Sequence, residues 1–142
     1  MHGLKNIRYA YTQAVLALQG REGSGVYYFL DDYKNVIIES LYSLGDIRSF
    51  CHPDILNLYT QDRENGIHMI QTIYTFMNCG GSIAAASKEL NIHRNTLIYR
   101  LEKLEDSYGI RLKDLDSDFR FYLIITCQII FYLDRKETIK EK

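Results

Sequence analysis

The sequence predicts an all-α protein: a helical, bundle-like N-terminal half followed by a C-terminal helix-turn-helix domain, in six or seven helices. Three observations predict it. Apolar residues recur at three- and four-residue intervals along most of the chain. One proline and nine glycines among 142 residues are too few turn formers for a sheet-rich sandwich. Residues 82–108 hold two short helical patterns joined by a tight corner.

In order, Leu4, Ile7, Tyr11, Ala14, Val15 and Leu18 fall at helical spacing, which predicts a helix over residues 4–19 that Gly20 stops. Residues 21–25 are a glycine-rich break. Residues 26–30, Val-Tyr-Tyr-Phe-Leu, have strand propensity, and a lone strand hints at a partner in an upstream domain. Asp31 or Asp32 is expected to cap the next helix, which runs to about Leu44 with Val36, Ile37, Leu41 and Leu44 inward. Gly45-Asp46 marks a turn, and residues 46–50 suit a short helix. His52-Pro53-Asp54 opens another, since proline suits the first helical position. Residues 62–79 predict one strong helix through Ile67, Ile70, Ile73, Tyr74 and Met77, ended by Gly80-Gly81. The expected division is an N-terminal helical segment over 1–61, a helix-turn-helix domain over 62–133 and a charged, fraying tail over 134–142.

Composition narrows the function classes. The chain is 46% hydrophobic and 25% charged, globular proportions. A formal charge of −1 excludes a surface that is polycationic throughout but leaves room for a local basic face. Cys51, Cys79 and Cys127 form no CxxC pair, so no zinc ribbon or redox motif is present, and they suit small hydrophobes in a reducing cytoplasm. His52 and His68 lack partners at ligand spacing, and neither a metal nor a cofactor is expected. Asp31-Asp32 has no accompanying phosphate-binding loop, and no nucleophile elbow is found, so no enzyme activity is expected. The first residues carry no apolar run of the signal-peptide kind. The longest apolar run, Phe121 to Leu133, has thirteen residues. A membrane span needs ~20, so this run predicts a buried or interface element.

Residues 82–108 carry the chemistry. Ser82 is placed to cap a helix in which Ala84, Ala85 and Ala86 permit close crossing by another. Asn91 tolerates the left-handed turn of the corner, and Ile92 plugs it. A second helix, about 93–108, turns Leu97, Leu101 and Leu104 inward and ends at Gly109. Its opposite face carries Asn95, Thr96, Tyr99, Glu102 and Lys103, with Arg94 and Arg100 on the flanks. Glu102, Glu105 and Asp106 come late in the helix. Positive or hydrogen-bonding residues thus fill its first turns, the part of a recognition helix that meets bases. Residues 82–113 hold six Lys/Arg against four Asp/Glu, so one copy makes few phosphate contacts and tight binding calls for two.

The stretch from Gly80 to about Leu133 resembles the C-terminal DNA-binding domain of PucR-type bacterial transcription regulators. The residues that carry the resemblance are Gly81-Ser82, Ala85-Ala86, Leu90, the run Ile92-His93-Arg94-Asn95-Thr96-Leu97, Tyr99-Arg100-Leu101 and Leu104, then Leu112, Asp114 and Arg120. Residues 4–79 resemble, more weakly, the segment joining a degenerate GGDEF-like domain to that DNA-binding end. The resemblance implies a helix for 121–133 and a C-terminal fragment of a longer regulator, its small-molecule effector bound upstream. One departure is Asn91, where glycine is common.

These observations predict sequence-specific binding of double-stranded DNA, with Arg94 and Asn95 on base edges. Ser82, Thr96, Tyr99, Arg100 and Lys103 are assigned to phosphates, and His93 to a cap, a phosphate or both. Phe121–Leu133 is apolar nearly all round, which predicts a homodimer or docking onto an upstream domain, with 36–44 as a second surface. The competing readings are a protein-interaction module that keeps the helix-turn-helix shape, and a decayed nucleotide-processing domain.

Overall fold

The computed structural model describes residues 7–18, 21 and 23–140 and divides into two compact units, 1–46 and 47–142. Leu4, Gln19 and Gly20, assigned above to the start and stop of the first helix, lie outside the described residues, as do Glu22 and the tail end, 141–142. Every regular element among the described residues is helical.

The first unit holds α1 (Ile7–Leu18) and α2 (Phe29–Tyr42), which pack on each other. Ile7, Tyr11, Val15 and Leu18 lie exposed, and Ala17 is the buried residue of α1. The expected strand over 26–30 is absent: residues 25–28 are irregular, and α2 already begins at Phe29. Its N-cap is therefore Tyr28, not Asp31 or Asp32, and Tyr28 makes no side-chain capping bond. Asp32 instead pairs with Arg21 at 3.2 Å. The inward positions of α2 are Val36 and Ile38, whereas Ile37 and Leu44 are exposed.

The second unit opens with a 3-10 turn, Ile47–Phe50, and α3 (Pro53–Asn65), whose N-cap His52 accepts the Asp54 amide on Nδ1. The single helix expected over 62–79 is two. Gly66 ends α3 in the left-handed region at φ 63°, and His68 follows at φ 57°. These two residues turn the chain into α4 (Met69–Asn78). The predicted boundary between 61 and 62 thus falls inside α3.

Helix α4 is the centre of the unit. Met69, Ile70, Thr72, Ile73, Thr75, Phe76 and Met77 are buried, and α3, α5, α6 and α7 all pack against it. Gly80 and Gly81, both left-handed, reverse the chain into α5 (Ile83–Glu89). Helix α6 (Arg94–Tyr108) follows, capped by Gly109 at φ 66°. Helix α7 (Ser117–Lys140) includes the apolar run and buries Leu123, Thr126, Cys127, Ile129, Ile130 and Tyr132. It continues past Asp134 to Lys140, within the segment expected to be a tail. Tyr59 donates to Asp134 and Arg63 pairs with Glu137, and these links hold that part of α7 to α3. None of the described helices is long and apolar enough to cross a membrane.

Candidate nucleic-acid interface

Ser82 begins the site. Its hydroxyl accepts the Ala85 amide at 3.2 Å, satisfying one of the orphan donors of α5. Of the three alanines, Ala86 is the buried one, while Ala84 and Ala85 face out. The corner then closes through its own backbone. Asn91 N–H donates to Lys88 O at 3.2 Å and Ile92 N–H to Ser87 O at 3.0 Å. Asn91 sits at φ 52°, a left-handed position that costs an ordinary side chain roughly 1–2 kcal/mol and asparagine less. Ile92 is half-buried and packs on the core, so the corner has its apolar plug.

His93 opens α6, its Nδ1 accepting the Asn95 amide at 3.2 Å. Leu97 and Leu104 are 0% and 1% exposed, and Leu101 is half-buried against the same core. These leucines set the rotation of α6, and the remaining faces follow from it. Ser82, His93, Arg94, Asn95, Thr96, Tyr99 and Lys103 are all exposed, Tyr99 at 62%. The first turn of α6 contains no acidic residue. Six of these seven crowd the outer surface of α6 between 93 and 103, with Ser82 at the start of the preceding helix.

Arg100 is different. It is half-buried, and its Nη1 donates to Thr72 Oγ1 on α4 at 2.8 Å. One edge of its guanidinium is therefore committed to the protein. The sequence pattern did not single out Thr72 as a partner of this surface. The available signal was a polar side chain within an apolar rhythm, between Ile70 and Ile73.

Beyond the first turns the surface changes sign. Glu102 and Asp106 are exposed, and Glu105 accepts from Arg111 Nε at 2.7 Å. Arg111 also reaches Asp114 at 3.4 Å, and the two carboxylates hold its pKa above the ordinary guanidinium value. That cation is internally paired. Of the six Lys/Arg of residues 82–113, that leaves Lys88, Arg94, Lys103 and Lys113, which are exposed, and the uncommitted edge of Arg100. Among the described residues no group of three or more His, Cys, Asp or Glu is placed to hold a metal ion.

Comparison with known proteins agrees with this geometry. Residues 69–127 match the profile of the PucR C-terminal helix-turn-helix domain, a span from α4 into α7. The purine catabolism regulatory protein of Bacillus subtilis is 30% identical over 84% of this chain and 23% of its own length. The DNA-binding transcriptional activator AdeR of the same organism is 31% identical over 60% of this chain and 24% of its own. The carbohydrate diacid regulator of Escherichia coli is 29% identical over 85% and 31%. The chain thus spans less than a third of the length of each of these relatives. No solved structure matches it at a significant level.

Proposed function

Residues 69–127 are a PucR-type C-terminal helix-turn-helix domain, and on that premise we propose that this chain binds specific double-stranded DNA as the output end of a bacterial transcription regulator. The observation that carries the proposal is the surface of α6 from His93 to Lys103. It is exposed, it lacks acidic groups in its first turn, and it is backed by the buried Leu97 and Leu104.

In this reading α6 lies in the major groove. Arg94 offers a bidentate fork to guanine, and Asn95 offers a paired donor and acceptor to adenine. Ser82, His93, Thr96, Tyr99, Lys103 and the uncommitted edge of Arg100 hold phosphates and fix register. The chemistry is recognition alone, with no bond made or broken. The charge surplus of residues 82–113 is small, so two copies read two half-sites, one helical turn apart. A homodimer presents them together. The site of action is the cytoplasm, and a small-molecule effector acts on a domain that precedes this chain in longer regulators. The relatives, a purine catabolism regulatory protein and a DNA-binding transcriptional activator among them, support this role.

Selection of bound duplexes from a random library tests it. A recovered motif with two-fold symmetry, bound with steep salt dependence, is the expected result. Retention of no duplex at low salt, with the fold intact by circular dichroism, would leave the protein-interaction reading in its place.

A further inference from the structure

Thr72 is 0% exposed, yet it carries a hydroxyl in the middle of the most apolar helix of the second unit. A buried hydroxyl needs partners. It donates to His68 O, one turn back in its own helix, at 3.0 Å, and its oxygen accepts Arg100 Nη1 at 2.8 Å. Arg100 follows Thr96 by one turn, on the flank of the surface assigned to DNA. We propose that Thr72 is a positioning residue for DNA reading, an acceptor that pins the Arg100 guanidinium and with it the rotation of α6 on α4. This rests on the DNA-binding reading above.

The geometry gives the lever. Leu97 and Leu104 fix which side of α6 faces inward, but apolar packing is non-directional and tolerates a small roll. Side chains stand ~5 Å from a helix axis, so a roll of ~20° displaces them by about 2 Å, enough to break a bidentate base contact. A charged hydrogen bond to a fixed acceptor resists that roll. It also orients the planar fork. One N–H is spent on Thr72, and the guanidinium has further N–H groups with which to meet a phosphate oxygen.

The test uses the intact chain, a duplex obtained by the selection above and a scrambled duplex of equal length. Thr72→Val keeps the shape and removes the acceptor. It is expected to lower affinity for the selected duplex roughly tenfold while changing the scrambled duplex by no more than about twofold, because nonspecific phosphate attraction survives a roll. Thr72→Ser restores the acceptor and the lost specificity. In the Thr72→Val background, Arg100→Ala is expected to cost less than it does in the parent, because the pinned geometry is already gone.

Unchanged specificity in Thr72→Val overturns the proposal. So does a loss of specificity that Thr72→Ser fails to repair. A parent that binds neither duplex defeats the DNA reading, and amide exchange then decides the positioning role by itself. Faster exchange along 94–104 than along α7 in Thr72→Val supports it, and an unchanged ratio removes it.

Discussion

The backbone amide of Ile70 donates to Asp62 Oδ2 at 2.9 Å, so a carboxylate on α3 caps the following helix, α4. The same aspartate takes the Gly66 amide on its backbone oxygen at 2.8 Å. One residue thus closes the end of one helix and the start of the next, across a break of three residues, 66–68. Asp62→Ala is expected to lower the stability of the second unit by about 1 kcal/mol, a fall in Tm of roughly 4–8 °C. Asp62→Asn retains an acceptor and loses less. Calorimetry of the three proteins decides it, and equal midpoints would show that the cap contributes nothing.

The corner of the helix-turn-helix gives a second prediction. Asn91 is left-handed and exposed, and its backbone amide closes the turn. Asn91→Gly removes the Cβ and is expected to leave Tm equal or higher. Asn91→Val forces a β-branched residue into the same region and is expected to destabilise by about 1–2 kcal/mol. A valine variant as stable as the parent would mean that the corner is not held at this φ.

Ser82 separates capping from DNA contact. Ser82→Ala is expected to lose about 1 kcal/mol of stability with its acceptor. Ser82→Asp is also a good cap, and its charge suits a helix N-terminus. Its thermal midpoint is therefore expected to match the parent, while the added negative charge weakens duplex binding. Should Ser82→Asp bind DNA as the parent does, Ser82 lies away from the phosphates and only the capping role remains.

How much of this was legible in the sequence depends on the range of each interaction. The caps at Ser82 and His93, the inward leucines Leu97 and Leu104 and the exposed residues between them are set within a few residues of each other, and pattern reading found them. The Arg100–Thr72 bond spans 28 positions and the His52–Thr126 bond 74, and no local pattern encodes either. The break at 66–68 was missed for a different reason. Ile67, Ile70 and Ile73 keep a helical interval across it, and Gly66 alone is a weak stop signal. In α1 the periodic stripe marked the helix correctly, yet Ala17 and not that stripe is buried, because spacing shows that a face exists and not what covers it. In α2 the inward face is one residue off, at Ile38 in place of Ile37, after a start earlier than either aspartate suggested.

Arg94 and Lys103 are both exposed on α6 and carry the same charge, but the proposed roles differ. Arg94→Ala is expected to cost about 1–3 kcal/mol on the selected duplex and to relax base preference at one position of each half-site. Lys103→Ala is expected to weaken selected and scrambled duplexes alike and to lower the salt slope by about one. Salt titrations of both variants on both duplexes provide the comparison. The same uniform loss in both variants would contradict base reading by Arg94.

The last prediction concerns alkaline pH. Burial pushes the Cys127 thiol from its ordinary 9.0 up to about 12, with the neighbouring Cys51 adding to the shift. Burial likewise raises the Tyr59 phenol from 10.0 to about 12, helped by the hydrogen bond it donates to Asp134. Both groups hold their protons more tightly when folded, so the folded chain is favoured while both remain protonated in the unfolded chain. That stability is complete below pH ~9 and is lost as pH rises toward 12, because only the unfolded state then gives up the protons. Urea midpoints are expected to be insensitive to these two groups up to pH ~8.5 and to fall between pH 9 and 11. Tyr59→Phe and Cys127→Ala, each less stable at neutral pH, are expected to show a shallower fall than the parent over that interval. A midpoint that rises there, or variants that fall as steeply as the parent, would place the alkaline titration in other groups.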